Sequence, residues 1–219
     1  MKLTIFNGSP RGEQSNSTIL IEQFLIGYNI INSDNVSINY ILKSKLEKER
    51  KEIFQNADII LIFFPLYTDC MPGIVKKFFE DIADLKINKS KKIGFIVQSG
   101  FPEAIHSTFV ERYLNKFTKR LKCEYLGTVI KGGVEGIKIM PPFMTKKLFS
   151  RFQDLGEYFA KNECFSPEIK KKLLKPYKMS LGRKIMFFIF SKTGMANFYW
   201  NSNLKKNNAF EKRFDKPFV

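Results

Sequence analysis

The segment of residues 59–64 constrains the fold more than any other, because it reads IILIFF and contains no polar residue. A strand with this pattern is covered on both faces, since neither face carries a side chain suited to water. Strands of this kind occur in parallel sheets that have helices packed on both sides. The segment therefore predicts a buried strand of an α/β protein.

Four other segments have the length and composition of strands, and amphipathic segments alternate with them. The strands are predicted at residues 3–6, 36–42, 93–97 and 125–130. Apolar residues recur at helical spacing in residues 17–28, 73–82, 106–121 and 143–159. Alternation of this kind is typical of parallel βαβ units with right-handed crossovers. We therefore predict a doubly wound, five-stranded parallel sheet.

This alternation stops after Cys164, where the composition of the chain changes. The segment from residue 165 to 219 holds 13 of the 37 Lys and Arg residues but only three of the 21 Asp and Glu residues. It therefore carries most of the net charge of +16. We divide the chain into a domain of residues 1–164 and a basic, aromatic-rich C-terminal extension of residues 165–219. The extension is predicted to be helical and to pack on the domain or on a partner subunit.

Two other interpretations of the extension stay open. Basic residues beside the apolar run 185–190 favour peripheral contact with an anionic membrane surface. That run is too short to cross a bilayer, which requires about 20 residues. Nucleic-acid binding is the least favoured interpretation, because the sequence contains no recognised binding module.

Cysteine and histidine usage limits the compartment and the chemistry. The chain has three isolated cysteines, Cys70, Cys123 and Cys164, and no CxxC motif. This odd number suits a reducing compartment better than a disulfide framework. Because the N-terminal apolar run is also too short for a signal peptide, we expect a soluble, cytoplasmic protein. One histidine and scattered cysteines offer no ligand spacing, so no metal site is predicted.

The loop after the first predicted strand has the composition of a phosphate site. Residues 7–17 read NGSPRGEQSNS and combine hydroxyls, amides, glycines and one guanidinium. Together with the N–H groups of a helix N-terminus, such groups bind phosphate oxygens. The loop matches neither GxGxxG nor GxxxxGK[ST], which favours a phosphate monoester over a dinucleotide or a nucleoside triphosphate. The alternative is that Ser15 or Ser17 only caps the first helix and that Arg11 is a surface charge.

A second motif follows the strand at residues 59–64, where residues 65–81 read PLYTDCMPGIVKKFFED. The pairing of this motif with GSPRGEQSNS resembles the flavodoxin-like NAD(P)H-dependent FMN reductases and quinone reductases. The resemblance extends over residues 1–164. It implies a flavodoxin-like sheet with strand order 2-1-3-4-5.

Carried over residue by residue, the resemblance also implies which positions bind FMN. The FMN phosphate would be held by Ser9, Arg11, Ser15, Asn16 and Ser17. The isoalloxazine ring, which suits an apolar and aromatic wall, would be lined by Pro65, Leu66, Tyr67 and Thr68. The pyrimidine side of the flavin would be met by a third loop, with Ser99, Gly100 and Phe101. Amide donors in that loop would stabilise negative charge on the reduced flavin.

The function implied is an FMN-dependent NAD(P)H oxidoreductase. Hydride would pass from NADH or NADPH to flavin N5 and then to a quinone, a flavin or another small acceptor, in a ping-pong cycle. No catalytic side chain is required, because the flavin carries the chemistry. Cys70 alone cannot hold an iron–sulfur cluster. Dimers are common in the family, so a homodimer is expected.

Two alternative functions remain. One is a flavodoxin-type electron carrier between protein partners, although flavodoxins are usually acidic and this chain is basic. The other is a basic interaction module on an inactive scaffold, which would bind polyanions in a salt-sensitive manner. His106, the only histidine, lies near the start of a predicted helix. Four interpretations of His106 stay open: a cap-region residue, a substrate contact, a residue with a catalytic proton role, and a residue with no role in the site.

Overall fold

The structure, a computed structural model, describes residues 2–32, 36–43, 47–87, 91–193 and 197–216, with the exception of the Tyr199 side chain. The chain divides into two compact units, Met1–Lys178 and Met179–Val219.

Strands and helices alternate along the first unit. Its strands are β1 (Leu3–Asn7), β2 (Ser37–Tyr40), β3 (Ile59–Pro65), β4 (Lys92–Gln98) and β5 (Glu124–Lys131). The helices in its described part are α1 (Asn16–Tyr28), α2 (Glu47–Asn56), α3 (Gly73–Ala83), α4 (Thr108–Arg120), α5 (Pro142–Asn162) and α6 (Pro167–Leu173). The strands pair in parallel in the order β2-β1-β3-β4-β5. The predicted flavodoxin-like fold is therefore confirmed.

The apolar strand β3 lies in the middle of the sheet, and all of its residues are buried. Its side chains alternate between two hydrophobic clusters. One cluster contains Ile60, Ile62 and Phe64, and the other contains Ile59, Leu61 and Phe63. Helices α3 and α4 add Phe78, Phe79 and Leu114 to the first cluster. Helices α1 and α5 add Phe24, Phe152 and Phe159 to the second. The continuous apolar sequence is thus explained by helices on both faces.

Two local features differ from the sequence prediction. Helix α2 was not predicted, because Phe54 is its one buried residue and the rest of its sequence is strongly polar. Strand β2 is confined to Ser37–Tyr40, shorter than the predicted residues 36–42. This strand lies at the edge of the sheet and is partly exposed, so alternation in the sequence overstates its length.

The first compact unit continues past Cys164 to Lys178, whereas composition suggested a division at Cys164. Phe165 and Leu173 are buried in the cluster that also holds Phe159. The lysines of α6 obscure this packing in the composition of the segment. The second unit contains α7 (Leu181–Lys192) and α8 (Phe198–Lys206). None of the helices in the described ranges is both long enough and apolar enough to cross a bilayer.

Helices α1 and α5 approach each other through two glycines. A Cβ atom on Gly27 would lie 1.8 Å from the carbonyl oxygen of Gln153, and one on Gly156 would lie 1.9 Å from that of Phe24. Both obstructing atoms are backbone, so a side chain at either glycine would push the helices apart. This close approach seals the cluster around Phe24.

We expect Gly156→Ala to lower the free energy of unfolding by about 2 kcal/mol. Overpacking costs up to about 3 kcal/mol, and the upper end applies because the obstructing atom is backbone; the better helix propensity of alanine recovers about 1 kcal/mol. Gly73→Ala is the matched control, because in the described part of the chain no atom beyond its neighbours and its own helix backbone lies within 4 Å of a Cβ at that position. Urea unfolding measures both. Equal midpoints for the two variants would contradict the close packing.

A buried carboxylate ties α2 to α3. The side chain of Asp81 is fully buried and accepts hydrogen bonds from Arg50 of α2, with 3.0 Å between Nε and Oδ2. Its Oδ1 lies 2.8 Å from Nζ of Lys77. Burial alone would raise the pKa of Asp81, but the hydrogen bonds from Lys77 and Arg50 outweigh burial and hold this pKa below its ordinary value of 3.8. The ionised form is therefore the one that stabilises the fold.

A lowered pKa means that the unfolded chain binds the proton of Asp81 more readily than the folded chain does. The stabilisation is complete above the unfolded pKa and is lost as the pH falls through the folded pKa. We expect Asp81→Asn to be destabilised by about 3 kcal/mol at neutral pH, because it removes the buried negative charge that Arg50 and Lys77 both contact. Between about pH 5 and pH 2 the variant should lose less stability than wild type. Glu80→Gln, which removes an exposed carboxylate, should behave like wild type.

Candidate functional site

Four loops meet at the carboxyl ends of the strands. They are the β1 loop (residues 8–15), the β3 loop (66–72), the β4 loop (99–107) and the β5 loop (132–141). Gly8 of the first loop donates a hydrogen bond to the carbonyl of Phe63, and Leu66 of the second donates to Gln98, each at 2.7 Å. Ser99 of the third donates to Lys131 at 3.0 Å. These backbone bonds bring the three sequence-predicted groups of site residues to one edge of the sheet.

The shape of the β1 loop depends on Asn7, a buried residue at the end of β1 for which the sequence suggested no role. Its Oδ1 accepts a hydrogen bond from the backbone N–H of Ser9 at 2.9 Å. Its Nδ2 donates to Oγ1 of Thr18 at 3.0 Å, which connects the loop to the first turn of α1. An amide placed directly after a buried strand is the signal that could have identified this residue.

Ser15 and Asn16, two of the predicted phosphate ligands, already have structural partners. Ser15 is the N-cap of α1, and its Oγ accepts from the N–H of Thr18 at 3.2 Å. The capping alternative raised from the sequence therefore describes Ser15. The side-chain amide of Asn16 donates to the carbonyls of Val134 and Glu135, at 2.8 and 3.1 Å. Both side chains hold loops in place.

Ser17 differs from Ser15 and Asn16. Its side chain is fully buried in the first turn of α1, and among the described residues its Oγ has no hydrogen-bond partner. A buried hydroxyl without a partner costs free energy, so such groups usually have a ligand or water partner. The N–H groups of the first turn of a helix favour anions at the same place. This orphaned hydroxyl fits a bound phosphate.

Arg11 lies in the β1 loop and forms an ion pair that the sequence did not indicate. Its Nη2 lies 3.0 Å from Oε1 of Glu135 in the β5 loop. Both side chains are about half exposed, so the pair is accessible to a ligand. Glu135 also lies beside Gly100, where an added Cβ would come within 3.3 Å of the Glu135 side chain. The β5 loop therefore completes the site, and KGGVEG is a polar, glycine-rich segment at the end of a strand that could have signalled it.

The β3 loop contains a tight turn from Tyr67 to Cys70. The N–H of Tyr67 donates to the carbonyl of Cys70 at 2.8 Å, and the N–H of Cys70 returns a bond of 3.0 Å. The two central residues, Thr68 and Asp69, have φ values of 48° and 61°. This left-handed conformation is costly for a β-branched residue such as Thr68 and often marks functional loops. The turn leaves Tyr67 exposed, whereas Leu66 packs in the core.

The β4 loop presents an aromatic surface near this turn. Phe101 is 46% exposed, and its ring centroid lies 4.7 Å from that of His106. The imidazole lies between two carboxylates, with 3.7 Å separating it from Asp69 and from Glu103. His106 therefore connects the β3 and β4 loops. The amide of Ser99 is used by the sheet, which leaves Gly100 and Phe101 as candidate backbone donors in this loop.

Comparisons with known proteins agree with this fold. A family model described as a flavodoxin-like fold matches residues 1–148. A search of curated proteins gives no match.

Several solved structures share the fold. An NADPH-quinone reductase from P. pentosaceus is 18% identical, with a TM-score of 0.56 over 70% of this chain and 96% of that one. An FMN-dependent NADH-azoreductase from Bacillus anthracis, in complex with FMN, is 15% identical, with a TM-score of 0.58 over 73% and 100%. An NAD(P)H:quinone oxidoreductase from Methanothermobacter marburgensis is 14% identical, with a TM-score of 0.58 over 73% and 96%.

The family match covers more than half of the chain, and it coincides with the sheet and with the loops that form the site. The resemblance noted in the paired sequence motifs is therefore confirmed at the level of the family. This chain belongs to the family of proteins with a flavodoxin-like fold.

Proposed function

We propose that this protein is an FMN-dependent NAD(P)H oxidoreductase that reduces a small acceptor. The observation that carries the proposal is the hydroxyl of Ser17, which has no hydrogen-bond partner among the described residues and is buried in the first turn of α1, directly after the loop that holds Arg11. Exposed aromatic residues lie at the neighbouring strand ends. A phosphate subsite beside an aromatic wall matches the two halves of FMN.

The phosphate subsite would have two buried hydroxyl groups and one accessible guanidinium. Ser17 would donate its hydroxyl to a phosphate oxygen, and Ser9, only 2% exposed, would act from the β1 loop. Arg11 would exchange its ion pair with Glu135 for the phosphate, because guanidinium binds phosphate in a bidentate manner. Ser15 and Asn16 would act by position, since their side chains hold the helix cap and the β5 loop.

The ring subsite would be formed by the β3 and β4 loops. Tyr67 and Phe101 offer exposed aromatic surface, and Thr68 lies in the strained turn beside Tyr67. Pro65 and Leu66 are buried, so they would shape this wall from behind. The backbone of Gly100 would allow close approach to the pyrimidine edge. When bound, the flavin supplies hydride chemistry, and these residues orient it and shield one face from water.

The choice of acceptor draws on the structural neighbours. Their names describe reductases that use NADH or NADPH, with quinones and azo compounds as acceptors. We propose a quinone, a flavin or a related small aromatic acceptor that occupies the place of the nicotinamide, in a ping-pong cycle. The homodimer implied by the resemblance stays a prediction.

A flavodoxin-type electron carrier is the alternative, since the same fold serves both roles. A net charge of +16 disfavours it, because flavodoxins are usually acidic. Direct reduction by a nicotinamide separates the two functions. A carrier requires a separate reductase, whereas the proposed enzyme accepts electrons from NADH or NADPH itself.

Purified protein should bind FMN and become yellow, with flavin absorbance bands. It should oxidise NADH or NADPH in the presence of a quinone, and double-reciprocal plots at several acceptor concentrations should be parallel. Converging lines would contradict the ping-pong cycle. If titration with FMN did not saturate the protein, the proposal of an FMN-dependent enzyme would be contradicted.

The ion pair between Arg11 and Glu135 gives a test of the phosphate subsite. Arg11→Ala should raise the Kd for FMN about tenfold, because a hydrogen bond to a charged group contributes about 1.5 kcal/mol at the lower end of its range. Glu135→Gln should lower the Kd, since it removes a negative charge that competes for the guanidinium. Fluorescence titration measures both.

Riboflavin, which lacks the phosphate, is the matched control ligand. Neither substitution should alter its Kd. If Arg11→Ala weakened the binding of riboflavin as much as the binding of FMN, Arg11 would contact the ring or support the fold and would not bind the phosphate.

A further inference from the structure

Helix α7 in the second unit has a composition that is unusual for an exposed helix. All of its residues are exposed to solvent. Its large apolar side chains have exposed fractions from 42% to 74%, and they are Leu181, Ile185, Met186, Phe187, Phe188, Ile189 and Phe190. Contiguous apolar surface of this kind on a protein usually marks a site of interaction.

The helix is well defined by its own sequence. Ser180 is the N-cap, and its Oγ accepts a hydrogen bond from the N–H of Arg183 at 3.5 Å. Residues 181, 185, 188 and 189 follow the spacing i, i+4, i+7 and i+8, so they share one face. Arg183 lies on the opposite side at 100° per residue. Met186, Phe187 and Phe190 lie on the same side as Arg183, so large apolar side chains also extend around the rest of the helix.

The charge of the second unit has one sign over most of its length. From residue 179 to residue 210 the sequence contains five Lys and Arg residues and no Asp or Glu. Three of the five, Arg183, Lys184 and Lys192, belong to α7. Whatever covers the apolar face must also accommodate these cations.

We propose that α7 docks on the surface of an anionic lipid bilayer. Its apolar side chains would enter the boundary between headgroups and acyl chains, and its basic residues would pair with anionic headgroups. Each Lys or Arg near such a surface contributes about 1 kcal/mol. Twelve residues of helix span about 18 Å, which is shorter than the hydrocarbon core of a bilayer, so the helix would lie along the surface.

A second copy of this chain fits the surface less well. A symmetric contact places the same patch of each subunit against the other, and it would bring together the cations Arg183, Lys184 and Lys192 of both copies with no acidic residue of α7 to pair with them. The rest of the chain also carries a net positive charge, so an asymmetric contact meets the same repulsion. Nucleic acid would neutralise the cations but offers the aliphatic side chains of α7 no apolar medium. An anionic bilayer satisfies both requirements.

The test is flotation of the full-length protein with vesicles of phosphatidylcholine, with and without phosphatidylglycerol. We expect binding to the vesicles that contain phosphatidylglycerol and weaker binding at high salt. Phe187→Ser combined with Phe188→Ser should reduce the bound fraction at least tenfold. Trp200, the one tryptophan of the sequence, gives a second readout. It follows α7 closely in the chain, so its fluorescence should shift to shorter wavelength when α7 docks on the bilayer.

The matched control is Phe143→Ser combined with Met144→Ser, which removes exposed apolar residues from α5 in the first unit. This control should bind vesicles like wild type, and circular dichroism should show that both double variants are folded. Equal loss of binding in both would overturn the assignment to α7. The proposal would be overturned if the wild-type protein bound vesicles with phosphatidylglycerol no better than vesicles without it. A third outcome would identify a second copy of the chain as the partner of α7. In that case wild type would not bind vesicles, and light scattering would show a dimer for wild type and for the control but a monomer for the α7 variant.

Discussion

The burial of β3 on both faces is the constraint on which the rest of the first unit depends. Six of its residues divide evenly between two hydrophobic clusters, and each cluster requires helices to cover it. On one face, α1 and α5 pack closely because Gly27 lies against the backbone of α5 and Gly156 lies against the backbone of α1. On the other face, Asp81 joins α2 to α3 through Arg50. Strand β3 and its neighbours then end at a common edge, where the loops of the site converge.

At that edge, the hydrogen bonds of the polar side chains distinguish residues that hold the loops in place from residues that are candidates for binding a ligand. Asn7, Ser15 and Asn16 form hydrogen bonds that fix the loops, so their side chains are used within the protein. Ser17 is buried and has no hydrogen-bond partner in the described part of the chain, whereas Arg11 has an accessible partner, Glu135. A motif that looks uniform in sequence therefore contains residues of two kinds. The distinction is physical. A side chain that already has a hydrogen bond must break it before it can bind a ligand, which costs free energy, whereas a buried donor without a partner is stabilised when a ligand accepts its hydrogen bond.

The second unit follows different rules from the first. Seven of its large apolar residues occur on a short helix, α7, whose side chains are exposed, and most of its charges are positive. In the segment of residues 165–178, by contrast, Phe165 and Leu173 are buried within the first unit. Basic composition alone could not distinguish these two segments, because lysines on the surface of a packed helix and lysines beside an exposed one look alike in a sequence.

The sequence by itself determined the parallel α/β fold, the order of strands through its family resemblance, and the loops in which to look for a site. Hydrophobic periodicity is local, and β3, α1 and α5 express it strongly. The tertiary structure decided what depends on distant partners. Helix α2 is stabilised by one buried phenylalanine and by the contact of Arg50 with a residue on α3, so its polar sequence gave little signal. Glu135 meets Arg11 across more than 100 residues of chain, and only the pairing of β4 with β5 brings the β5 loop to the site. Whether a serine caps a helix or awaits a ligand is likewise decided by geometry, because both roles use the same residue at the same end of a helix.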